Sequence, residues 1–202
     1  MVNVPVIARR ELNTYYLSLM AYIVLTLFAL LHGLGFVVMV RESARVDPNM
    51  MMGVAFGWAV HLMIFAAPLI TMRLLSEEFS NGTVEPLMST PASETEGVLG
   101  KFVGALIFTM SMLLPLVAEC IYLASVGSMD WGPAAAGFLG AYLLIAQFLA
   151  VGLFCSALTR IQLAAGLATI VLLLGALLLG YVPRDSDWVL AKALIYIAPL
   201  RH

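Results

Sequence analysis

Leu17-Ser-Leu-Met-Ala-Tyr-Ile-Val-Leu-Thr-Leu-Phe-Ala-Leu-Leu-His-Gly-Leu-Gly-Phe-Val-Val-Met-Val40 contains no Lys, Arg, Asp or Glu, and its apolar residues do not alternate with polar ones. A bilayer core of ~30 Å needs ~20 apolar helical residues at 1.5 Å rise, so this run is long enough to cross. Closed barrels, the other spanning solution, require alternation; a continuous run reads as a helix. Four more runs have the same character: Met50–Met72, Phe102–Val126, Pro133–Leu158 and Leu163–Val182. Glu119 is the one fully charged side chain type within any of them. The fold class is therefore all-α, a polytopic membrane helix bundle.

Composition agrees. The 202 residues are 62% hydrophobic and 11% charged, whereas ordinary globular chains run near ~45–50% apolar and ~25% charged. Ten Lys and Arg against twelve Asp and Glu give a net charge of −2, so no basic excess points to nucleic acid. Cys120 and Cys155 both lie inside apolar runs, which excludes a disulfide scaffold and a cysteine-rich metal site. Residues 1–202 form a single transmembrane domain in this reading.

Outward from the spans, Val4, Ala8, Leu12, Tyr15, Tyr16 and Leu19 recur at helical spacing, with Arg9, Arg10, Glu11 and Asn13 between them. That pattern predicts an amphipathic surface helix over residues 4–16, turning into the first span at 17–40. Arg9-Arg10 ahead of the first span favours a cytoplasmic N-terminus by the positive-inside rule. The spans at 102–126, 133–158 and 163–182 are joined by tight turns. The connection 73–101 is the one long stretch on the inner side. On the outer side, residues 183–202 form a re-entrant or surface segment, and a sixth span is expected beyond it. Pro68 and Pro115 deprive the carbonyls of Ile64 and Ser111 of their helical partners and predict kinks in spans two and three. Gly137 with Ala141, and Gly152 with Ser156, predict close helix packing along span four.

The long connection is built of breaks. Leu75 and Phe79 share a face, Arg73 can pair with Glu77 at i,i+4, and Asn81-Gly82 is a helix stop, so span two is expected to continue past the membrane before ending. Pro86 forces Glu85 out of the helical region and suits a first helical position, giving a stub helix over Pro86–Ser89. Thr90-Pro91 restarts the chain, and Ser93 with Glu96 has capping-box spacing ahead of span three. Catalytic signatures are lacking: there is no GxxxxGK[ST], no GxSxG and no HExxH. The chain is expected to be no enzyme and to hold no cofactor or metal.

Glu77-Glu78, then Gly82-Thr83-x-Glu85-x-Leu87, then Pro91, then Gly100-Lys101 resembles the signature of type-2 ABC transporter permeases. The likeness is closest to the short permeases of gliding-motility and nitrous-oxide-reductase-maturation type. Ala8-Arg9-Arg10-Glu11-Leu12 resembles their surface helix, and Tyr196-Ile197-Ala198-Pro199 is similar to their Tyr-x-Ser-Pro segment, with Ala198 replacing the usual Ser. The resemblance implies a coupling helix on the cytoplasmic loop, seated in a separate ABC ATP-binding subunit that binds ATP and Mg. Its docking residues would be Glu77, Glu78, Gly82, Thr83, Glu85, Leu87, Met88 and Pro91. It further implies a second permease copy or paralogue, residence in the inner (cytoplasmic) membrane, and export. An ion-gradient-driven secondary transporter with Glu119 as proton site, and a non-transporting membrane assembly factor, are the alternatives.

Three polar residues sit within the spans: His32, His61 and Glu119. Counted from the outer ends at 1.5 Å per residue, their depths agree within roughly 6 Å. They are expected either to form a polar layer along a substrate path or to hold helices together, with Glu119 protonated or paired to a histidine.

Overall fold

The computed structural model describes residues 3–42, 47–76 and 93–180. The expected docking residues Glu77, Glu78, Gly82, Thr83, Glu85, Leu87, Met88 and Pro91, the stub helix Pro86–Ser89, and the segment 183–202 lie outside these described residues.

Among the described residues the elements are all helical: α1 (Val4–Tyr16), α2 (Leu19–Glu42), α3 (Pro48–Thr71), α4 (Glu94–Met110), a 3₁₀ turn (Ser111–Leu113), α5 (Leu114–Val126), α6 (Trp131–Leu158) and α7 (Gln162–Gly180). Five stretches are long and apolar enough to cross a membrane: α2, α3, α4 with α5 taken as one, α6 and α7. Four of them lie within three residues of the expected bounds at each end, and the third begins seven residues earlier than expected, at Thr95 and not Phe102.

Helix α3 is the axis of the bundle and packs against α2, α5, α6 and α7. Of its most apolar window, 56% is buried, against 17% for α2 and 22% for α7. Ala59, Met63 and Ala67, one turn apart, are wholly inaccessible. Opposite them, α6 presents small residues. A Cβ on Gly137 would strike the Phe56 ring, and one on Gly152 would strike the Thr71 side chain. Ala141 and Ser156 are buried on the same helix. Close approach trades side-chain volume for backbone contact, the device that joins helices where lipid offers no hydrophobic drive.

The two prolines act differently. At Pro115 the long helix changes register: the Leu114 N–H bonds the Ser111 carbonyl in a 3₁₀ turn, satisfying the acceptor that Pro115 leaves without its usual donor. At Pro68, α3 runs on without interruption to Thr71, where the Met72 N–H caps the Pro68 carbonyl. The regular helix stops there, with residues 72–75 in a turn. It does not continue unbroken past Leu75, as the spacing of Leu75 and Phe79 had suggested.

Helix α1 forms over the expected residues, and its apolar stripe has a protein partner. Asn3 meets Glu96, Glu11 meets Lys101, and Tyr15 meets Phe108. The partners advance together along both helices, so α1 runs beside α4 in the same direction. Gly100 and Gly104 make this possible: a Cβ at the first would lie 2.6 Å from Ile7, and at the second 2.8 Å from the Glu11 side chain. The α4–α5 unit, Thr95–Val126, is about 48 Å long at 1.5 Å per residue, well beyond a ~30 Å hydrocarbon core. Its first turns therefore extend past the bilayer in company with α1.

Candidate functional site

Two polar constructions stand out in an otherwise apolar bundle. The first holds both ends of the long connection between α3 and α4.

At the α3 end, the turn after Thr71 takes the N–H groups of Leu75 and Ser76 out of the hydrogen-bond ladder of α3, so each needs another acceptor. Ser156 of α6 supplies one: its Oγ accepts from the N–H of Leu75 and of Ser76, both at 3.1 Å, and donates to the Met72 carbonyl at 3.2 Å. The Ser76 hydroxyl also bonds the Met72 carbonyl, and Thr71 Oγ1 bonds the Ala67 carbonyl at 2.9 Å. From the other side, the Tyr15 hydroxyl of α1 donates to the Ile70 carbonyl at 3.0 Å. Burial pushes the Tyr15 phenol above its ordinary range; Glu11 adds to the rise and Arg73 opposes it. The hydroxyl thus remains a donor at any working pH. Arg73 lies over the Tyr15 ring, 5.5 Å from its centroid, and donates to Ser18 Oγ at 3.2 Å. Glu77, its expected partner, lies outside the described residues.

At the α4 end, Ser93 and Glu96 form the expected capping box, with the Ser93 side chain bonding the Glu96 N–H and Glu96 reaching back to the Ser93 N–H. The Asn3 side chain donates to Glu96 Oε2 at 3.1 Å. Two turns on, Lys101 Nζ lies 2.8 Å from Glu11 Oε1, with 5% and 17% of the two side chains exposed. Helix α1 therefore braces both ends of the connection. In the sequence Glu11 belongs to the polar face of the surface helix and Lys101 to the permease signature, and nothing there joins the two. The usable signal was Gly100 with Gly104, a four-residue small-residue spacing that calls for a close helical neighbour.

Ser156 yields a direct prediction. Ser156→Ala conserves shape and removes the acceptor for two buried N–H groups, so stability falls by about 1–3 kcal/mol. Thermal unfolding in detergent reads the loss, which Ser156→Thr partly avoids.

The second construction lies deep among the spans. His32 Nδ1 is 2.9 Å from Glu119 Oε1, and His32 Nε2 is 3.3 Å from the Ala55 carbonyl. The Phe28 ring stacks on the imidazole at 5.8 Å, one turn earlier on α2. Both polar residues are buried, and among the described residues Glu119 Oε2 has no hydrogen-bond partner. His61 stands apart: its Nδ1 bonds the Gly57 carbonyl of its own helix at 2.6 Å. Equal depth does not fix direction around a helix. Six residues beyond Ala55, position 61 is rotated about 120° around α3 from the face that meets His32. Beside the pair, a cleft of about 450 Å³ opens between α2 and α3, its wall including His32, Gly35, Ala55 and Trp58.

The described residues thus form a multi-span helical bundle with a buried polar pair. The family model described as ABC-2 family transporter protein matches residues 57–184, more than half of the chain. The protein belongs to that family, and is thus a multi-pass membrane permease component of an ABC transporter, a class that works with an ABC ATP-binding subunit. No curated protein and no solved structure matches the chain.

Proposed function

We propose that this permease is driven by ATP hydrolysis in separate ATP-binding subunits, which hold the ATP and Mg, and that it works as an exporter. The chain would pair with a second copy or a paralogue in the inner (cytoplasmic) membrane, its N-terminus cytoplasmic, in the manner of gliding-motility or nitrous-oxide-reductase-maturation permeases. The least buried spans, α2 and α7, offer the faces for that second permease and for lipid.

The observation that carries this reading is the bracing of the long connection at both ends. A connection that transmits motion needs stiff attachments, because force applied to a slack loop is dissipated before it reaches the helices. Ser156 and Tyr15 hold the end that leaves α3, and Asn3 and Glu11 hold the end that enters α4. Movement of the connection would then tilt α3 and α4 together. Within it, Leu87 and Met88 are the proposed apolar anchors, and Glu77, Glu78 and Glu85 pair with basic residues of the ATPase. Gly82, Thr83 and Pro91 complete the proposed docking set.

Co-purification in mild detergent tests this. Combined Gly82→Arg and Leu87→Glu substitutions should reduce recovery of the cognate ATP-binding subunit at least tenfold, at unchanged permease abundance. Undiminished recovery would overturn the docking assignment.

A further inference from the structure

The His32–Glu119 contact fixes its own protonation. A carbonyl oxygen only accepts, so His32 Nε2, 3.3 Å from the Ala55 carbonyl, carries a hydrogen. Nδ1 then has two states. Either it holds a lone pair and Glu119 Oε1 carries the hydrogen between them, or it is itself protonated and faces a carboxylate. Both states contain the same number of protons and have zero net charge. Two combinations remain: a carboxylate against a bare Nδ1 would place two lone pairs 2.9 Å apart with nothing to bond them, and an imidazolium against a protonated carboxyl would leave an uncompensated positive charge in a buried site.

We infer that His32 and Glu119 form a proton-binding site, in which one proton on the Nδ1···Oε1 line joins α2 to α5 and its release to water frees α2. The surroundings support this. His32 is wholly inaccessible and Glu119 nearly so, and the second carboxylate oxygen has no partner, so the pair's neutrality is all that offsets its removal from water. Other titratable groups on the elements packed here are distant or engaged elsewhere. Helix α2 carries Tyr22, and Arg41 and Glu42 at its far end. On α3, His61 bonds Gly57; on α5, Cys120 contacts the Met129 sulfur and Tyr122 packs edge-on to Phe36. None of them hydrogen-bonds to the pair among the described residues. Helix α2 is also the least buried span, so it depends more on a single polar clasp than its neighbours do.

The test uses the full chain in lipid nanodiscs. Nitrogen-15 spectra of histidine-labelled protein, with His32 assigned through His32→Asn, should show Nε2 protonated and Nδ1 hydrogen-bonded at neutral pH. Nitroxide labels at exposed Leu34 and Val126, with both cysteines replaced by alanine, then read the α2–α5 distance. In the wild type it should lengthen by several ångströms once the pH is raised far enough to remove the shared proton. Glu119→Gln, whose amide donates to Nδ1 and has no proton to release there, should hold the short distance throughout, and Glu119→Ala should lose it at every pH. A bare Nδ1 opposite an ionised Glu119 at neutral pH would overturn the inference. So would a wild-type distance that never changes, or a Gln variant that opens at the same pH as the wild type.

Discussion

Lys101→Met is expected to destabilise the protein by about 3 kcal/mol, because it removes one member of a buried ion pair and leaves the other. The Glu11 carboxylate, 17% exposed, would keep its desolvation cost without the ammonium 2.8 Å away that offsets it. For a chain of this length that corresponds to a fall of roughly 6–12 °C in thermal midpoint. Exchanging the charges, Glu11→Lys with Lys101→Glu, restores opposite signs across the same gap and should recover most of the loss. A double-mutant cycle then isolates the pair from each side chain's packing. The functional consequence is separable. With α1 loosened from α4, the ATP-binding subunit should still be recruited, while ATP-dependent activity falls several-fold. Equal losses in recruitment and activity would show instead that the α1 brace acts on docking itself.

The spans were legible because lipid imposes a simple requirement: every residue of a crossing helix is apolar or hidden, so length and continuity suffice. The expected first span, 17–40, and the observed α2, Leu19–Glu42, differ by two residues at each end: Leu17 and Ser18 form the turn out of α1, and Arg41 and Glu42 remain helical once past the apolar run. The capping box at Ser93 and Glu96 was equally legible, being a local arrangement of neighbouring residues. Features made by residues far apart in the chain were not. The stop of α3 at Thr71 depends on the Ser156 hydroxyl, which arrives from α6. Arg73 turns toward Tyr15 and Ser18 because α1 folds back beside α4, which nothing around Arg73 announces. At the polar pair, depth was readable from residue counts, and partnership was not. The count placed His32, His61 and Glu119 at one level, but the angle around α3 turns His61 onto its own helix and leaves His32 of α2 to meet Glu119 of α5.

The contact between α3 and α6 gives the second large effect. Gly152→Val should cost about 3 kcal/mol or more, since its Cβ would overlap the Thr71 hydroxyl and approach the Thr71 Cβ to 2.8 Å. Thr71 has no room to yield: it is wholly buried, and its hydroxyl is bonded to the Ala67 carbonyl. The two helices must therefore part, and because Ser156 lies one turn beyond Gly152, its bonds to Leu75 and Ser76 stretch with them. Gly152→Ala should produce a smaller loss of about 1–2 kcal/mol. Thr71→Ala, by removing the atoms the new methyl would meet first, should rescue part of it. A positive coupling between the two sites in thermal unfolding, absent when Gly152→Ala is combined with a change at the remote Gly53, would place the strain at this crossing. If the two effects simply add, the helices already stand far enough apart for a side chain, and the end of α3 is held by something other than α6.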